Sequence, residues 1–188
     1  MRTSALLFLF ATAPWPQAAQ APEPKESTVQ LAVLDSLFTR DSTRLLVVGD
    51  STVSGGDHFV SEDYASALRT LGALPEGVRA DFEAKRGVNR RVDSLQARVP
   101  VRRFTSADRE LLQREDNPSS YWQAFYRRFP GSSGLIHVSR VGFSHDRGSA
   151  LLLVEYGCGG SCGGTLYVLL AERSGRWQVV RVAQPRIA

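Results

Sequence analysis

The sequence predicts an α+β fold, with a C-terminal four-stranded antiparallel meander packed by helices and a short N-terminal helix and strand. Three observations predict it. In the last third, four apolar runs (Leu135–Ser144, Ala150–Gly157, Thr165–Glu172 and Arg176–Ala183) are separated by turn-forming residues. Just before them, Tyr121, Trp122, Phe125 and Phe129 recur at helical spacing. Upstream, helical periodicities dominate, and only Leu45–Val48 and Val99–Phe104 read as strands. A chain of 188 residues, 43% hydrophobic and 22% charged, suits one domain with a proper core.

The N-terminus reads as a signal peptide over residues 1–21. Arg2 supplies the positive region, Ala5–Ala11 the short apolar region, and Ala19-Gln20-Ala21 the small residues before cleavage. The apolar run is too short to span a bilayer, and Pro14 and Pro16 interrupt it. Residues 22–188 are then expected as a single α+β domain, exported to a periplasmic or extracellular space where disulfides persist. No later stretch is long enough for a membrane helix, so no span is expected in the mature chain. The net charge of +4 is almost all arginine, with Lys25 and Lys85 the only lysines. So small an excess, with acids interleaved and no aromatic platform, predicts no nucleic-acid partner.

In order, Val29, Ala32, Val33, Leu37 and Phe38 predict a first helix, capped by Ser27 or Thr28. Leu45–Val48 is a buried strand, and Gly49–His58 a polar, glycine-rich loop. A strand followed by Gly49-Asp50-Ser51 resembles the nucleophile block of the GDS-type esterases and lipases. In those enzymes the serine attacks an acyl carbon and a histidine acts as general base. The resemblance implies Ser51 as nucleophile, but it also requires Asp-x-x-His. None of His58, His137 and His145 has an aspartate three residues earlier. The plainer reading is a strand exit whose Asp50 and Ser51 bond local backbone.

Tyr64–Leu71 and Pro75–Lys85 read as helices closed by Gly72 and Gly87. Thr105 or Ser106 caps a helix to Gln113, with Asp108 placed to complete a capping box for Thr105. Asn117 and Pro118 start the aromatic helix, 118–129, which is expected to lie across the meander as core. In the first C-terminal run the apolar parity switches near Ser139-Arg140, predicting a bulge. Leu151–Val154 is apolar on both parities, as in a strand covered on both faces. Glu155 interrupts that run, and a carboxylate at the end of a buried strand usually has a partner. Folding the hairpin nominates Arg140 as an ion-pair partner, with solvent exposure or general acid–base work as alternatives. His137 lies close by on the same hairpin.

Cys158 and Cys162, separated by Gly-Gly-Ser, fit opposed positions across the second hairpin. Opposed Cα atoms about 4.5 Å apart suit a disulfide. Closing so small a ring contributes about 2 kcal/mol by chain entropy. Free thiols and a redox pair remain the alternatives. Two cysteines without further ligands predict no metal site, and no cofactor is expected.

Tyr121-Trp122-Gln123-Ala124-Phe125-Tyr126-Arg127-Arg128-Phe129-Pro130-Gly131-Ser132-Ser133-Gly134 resembles a motif of an uncharacterised family of exported bacterial proteins. Ser139-Arg140-Val141-Gly142-Phe143, the CGGxCGG turn and Gly175-Arg176-Trp177-Gln178-Val179-Val180 continue it. The resemblance implies export and a shared fold but no reaction. The closing hairpin is also similar to the last strands of the cone-shaped folds related to nuclear transport factor 2. The function expected is a non-catalytic binding or structural module of the cell envelope, its partner an unknown protein or small-molecule ligand. His58, His137, Gly159 and Gly160 are the candidate contact residues. The alternative is an envelope enzyme, either a thiol–disulfide exchanger using Cys158 and Cys162 or a hydrolase using Ser51.

Overall fold

A computed structural model describes residues 25–39, 44–53, 61–115 and 117–187. The expected signal peptide, residues 1–21, and His58 lie outside the described residues. The described helices are α1 (Glu26–Leu37), α2 (Ser61–Leu71), α3 (Val78–Arg86), α4 (Ser106–Leu112) and α5 (Pro118–Arg128). The strands are β1 (Leu45–Gly49), β2 (Val101–Phe104), β3 (Ser132–Val138), β4 (Gly142–Phe143), β5 (Ser149–Gly159), β6 (Cys162–Arg173) and β7 (Arg176–Ile187). The fold mixes helix and strand around one sheet, as an α+β class requires.

Local chemistry explains several boundaries. Thr105 and Asp108 form the expected capping box at α4. Asn117 caps α5 reciprocally with Ser120, and Pro118 occupies the first turn, where its missing N–H costs nothing. The cap of α1 differs from expectation. Lys25 holds that position without a side-chain cap, and the Thr28 hydroxyl donates to the Lys25 carbonyl.

The sheet runs β2-β1-β3-β5-β6-β7, with β4 also on β5. β1 is parallel to both β2 and β3. From β3 onward the pairings β3–β5, β5–β6 and β6–β7 are antiparallel. The two N-terminal strands therefore extend the sheet as a parallel wing. The first C-terminal run is not one strand. It breaks after Val138, and Ser139–Val141 step out before β4 resumes. Ser139 is fully buried there. Its amide donates to the Leu153 carbonyl, and its hydroxyl accepts the Leu153 amide. The side chain thus replaces a ladder bond lost at the step.

Alternation along the strands gives the sheet two covered faces. Leu46, Val48, Ile136, Val138, Leu152, Val154 and Val168 pack with Val29, Val33 and Leu34 of α1. On the opposite face, Leu151, Leu153, Tyr167 and Leu169 pack with Leu71 of α2 and Phe82 of α3. A third group on that opposite face joins Val47, Phe104 and Leu135 to Phe125 and Phe129 of α5. The aromatic helix was expected across the antiparallel strands. It does reach them, with Trp122 over Gly157 and the Tyr126 hydroxyl bonded to Cys158 of β5, and it also extends over the parallel wing, where Phe104 of β2 packs on Phe125 and Phe129 at centroid distances of 6.2 and 6.1 Å. Among the described residues no helix is long and apolar enough to cross a membrane.

Candidate functional site

The helix-bearing opposite face carries a polar seam between its two apolar groups. Gly49, His137, Glu155, Thr165 and Arg186 follow one another across neighbouring strands. His137 pairs with Glu155, Glu155 with Thr165, and Thr165 with Arg186. The His137 ring stands over Gly49, where a Cβ would come within 2.3 Å of Nδ1, so only glycine admits the imidazole. Phe104 meets the same ring edge-on at 6.4 Å. At the far end Arg186 pairs with Asp63 of α2 at 2.8 Å.

Burial dominates the chemistry of this seam. It pushes the His137 imidazole down to about 4, with Arg109 adding repulsion and Asp50 opposing. It also pushes the Glu155 carboxyl above its usual range. An unfolded histidine titrates near 6.5 and binds a proton that the folded chain refuses. The stability from neutral His137 is therefore full above about pH 6.5 and is lost as pH falls toward about 4, on the order of 3 kcal/mol in all. Glu155 has the opposite sign: its raised pKa favours the fold at low pH, and that contribution is lost as pH rises. We expect His137→Gln to flatten the loss of stability between pH 6.5 and pH 4 in urea denaturation. Glu155→Gln should steepen it. An unchanged profile in His137→Gln contradicts the assignment.

The expected Arg140–Glu155 ion pair does not form. Arg140 leaves the sheet at the Ser139–Val141 step, which turns its guanidinium toward the start of α1. There it meets Glu26, with Nη2 to Oε1 at 2.6 Å and Nε to Oε1 at 3.1 Å. The second Glu26 oxygen accepts the Val141 amide at 3.1 Å. Glu155 makes no ion pair among the described residues. The three residues nominated from the hairpin therefore separate: His137 and Glu155 face one side, and Arg140 binds α1 on the other.

Ser51 sits just past the C-terminal end of β1. It bridges to Arg91, and the Asp50 carbonyl accepts the Val92 amide. Among the described residues no hydrogen bond joins the Ser51 hydroxyl to a histidine.

At the tip of the β5–β6 hairpin, Cys158 and Cys162 are joined by a disulfide, with Cα atoms 5.0 Å apart. They are not the directly opposed pair that the sequence suggested. Gly157 pairs with Gly163 and Gly159 with Cys162, so Cys158 is the extra residue of a bulge. The bulge turns the Cys158 carbonyl toward α5, where the Tyr126 hydroxyl donates to it at 2.9 Å. Beside this bond lies an open groove of about 710 Å³, lined by Asn117, Pro118, Ser119, Trp122, Gln123, Tyr126, Gly160 and Ser161.

Tyr121 and Trp122 pack at the margin of the core rather than within it. Phe125 and Phe129 are fully buried, as a core stripe requires. Trp122 is only half-buried, its ring lying over Gly157, where a Cβ would come within 3.0 Å. The Trp122 and Tyr126 rings tilt by 32° at 5.9 Å and form one wall of the groove. The glycine at 157 was the available signal, because a strand glycine often marks close approach by another group. Of the residues nominated for contact, Gly160 lines the groove, Gly159 adjoins it, His137 is half-buried in the seam, and His58 lies outside the described residues. No family model, curated protein or solved structure matches this chain, so the site stands on its geometry.

Proposed function

We propose that the protein is a non-catalytic binding module of the cell envelope, exported by its N-terminal signal, and that its contact surface is the groove between α5 and the disulfide-closed tip. The observation that carries this reading is the half-buried Trp122–Tyr126 wall set against that tip. Binding sites combine aromatic surface with a few placed polar groups, and Trp and Tyr supply large contact area at low entropy cost. The lining residues are all uncharged, which favours an uncharged ligand with an apolar face and hydrogen-bonding edges. Asn117, Gln123 and Ser161 supply amide and hydroxyl partners for those edges. The C-terminal strands then act as a rigid four-stranded antiparallel meander that presents the tip, and the sulfur bridge keeps it from opening.

Calorimetric titration tests this reading, using a proline-rich decapeptide and a neutral oligosaccharide as separate ligands. Saturable binding by either one, weakened about tenfold or more in Trp122→Ala, is the expected result. Heat that is identical in wild type and Trp122→Ala, or absent with both ligands, refutes the groove as the contact surface.

A further inference from the structure

A second concavity lies on the other side of the sheet, where the first turn of α1 meets the segment after Val88. It is a polar cleft of about 220 Å³ lined by Lys25, Glu26, Ser27, Gln30, Thr52, Arg90, Arg91, Asp93 and Arg140. Four of these side chains are cationic and two are carboxylates, leaving two positive charges. The carboxylate of Glu26 is already committed to Arg140 and the Val141 amide, and Arg90 approaches it only at 3.8 Å. Lys25 and Arg91 make no ion pair among the described residues.

The floor is built rather than accidental. Gln30 is 3% exposed and Thr52 is 4% exposed. The Gln30 amide nitrogen donates to the Ser139 carbonyl at 3.0 Å, which holds that side chain in place. The Thr52 hydroxyl oxygen accepts the Arg90 amide at 2.8 Å, and the Thr52 amide donates to the Arg90 carbonyl at 2.7 Å. This exchange fixes Arg90 and Arg91 at the rim. It also leaves the Thr52 hydroxyl proton without an acceptor among the described residues. A buried donor without an acceptor costs free energy, and an oxyanion in the cleft would accept it.

We propose that this cleft binds a small phosphate-bearing ligand of the phosphomonoester class. Two net positive charges match a phosphate dianion. Arginine offers paired N–H donors that suit its oxygens, and Thr52 adds a neutral donor from below. The site is separate from the aromatic groove, so either can fail without the other.

Calorimetry on the full chain at low ionic strength tests it, with inorganic phosphate and phenyl phosphate as ligands and acetate as the monoanion control. Saturable phosphate binding below about 10 mM is expected, weakening as salt is added. Arg91→Gln and Lys25→Gln should each weaken it about tenfold. Arg69→Gln, an equal charge loss on α2, should not. Thr52→Val leaves the charge unchanged and should weaken phosphate binding too, with near-ultraviolet circular dichroism confirming an intact fold. No saturable binding overturns the proposal. So does equal weakening by Arg69→Gln, or acetate binding as tightly as phosphate, since either would mean recognition of charge alone.

Discussion

Gly134→Ala should cost about 4 kcal/mol, close to the whole stability of a marginal domain. Two separate terms add. Gly134 has φ +134°, a region that side chains with a Cβ rarely adopt, and forcing one there costs about 1–3 kcal/mol. The added Cβ would also fall 2.2 Å from the Gly157 carbonyl oxygen and 3.1 Å from the Cys158 Cβ. Neither wall can retreat. Gly157 is paired on its other edge with Gly163, and Cys158 is held by its disulfide and by Tyr126. Overpacking against such walls adds about 1–3 kcal/mol. Urea denaturation reads the loss directly. A midpoint within error of wild type would mean that β3 can slide from β5 at this position without penalty.

Glu26→Ala should cost about 3–5 kcal/mol, because it leaves a largely buried guanidinium and a backbone amide without their shared acceptor. The side chains of Arg140 and Glu26 are 17% and 15% exposed, so water screens the loss only in part. The damage should spread along the step between β3 and β4. Val141 loses the acceptor of its amide, although its carbonyl keeps Lys85 at 3.3 Å. Replacing both partners by leucine or methionine should recover only part of the loss, since an apolar pair removes the unpaired charge but leaves the Val141 amide without its acceptor. If Glu26→Ala unfolds at the wild-type midpoint, α1 is held by its apolar face alone.

What the sequence made legible was local chemistry. Thr105 with Asp108, and Asn117 with Pro118, announce helix starts within a few residues. The break near Ser139 is visible as a switch of apolar parity. The disulfide follows from two cysteines around a tight turn, although its bulge does not. What stayed hidden depends on partners far along the chain. Glu26 and Arg140 are separated by 114 residues, and nothing near either one names the other. Leu45–Val48 reads as a buried strand, yet its parallel pairing with β2 and β3 has no local signature. The same distance hid the reach of the aromatic helix over the parallel wing. Phe125 and Phe129 read as core, but the sheet half they cover depends on where Phe104 is carried by that parallel pairing. Trp122 shares their periodicity and differs only in its neighbour Gly157, which belongs to another strand.

The position of β1 bears on how the chain reaches this state. Both of its neighbours come later in the sequence: β2 ends at Phe104 and β3 at Val138. Nothing made before Val101 can complete either edge of Leu45–Gly49 in the native arrangement. Closing loops of this length is entropically slow, whereas the C-terminal hairpins join residues only a few positions apart. During synthesis an apolar strand therefore waits with open backbone, on one edge until Phe104 is made and on the other until Val138. Such a segment invites mispairing, so a holding chaperone has most to protect at β1.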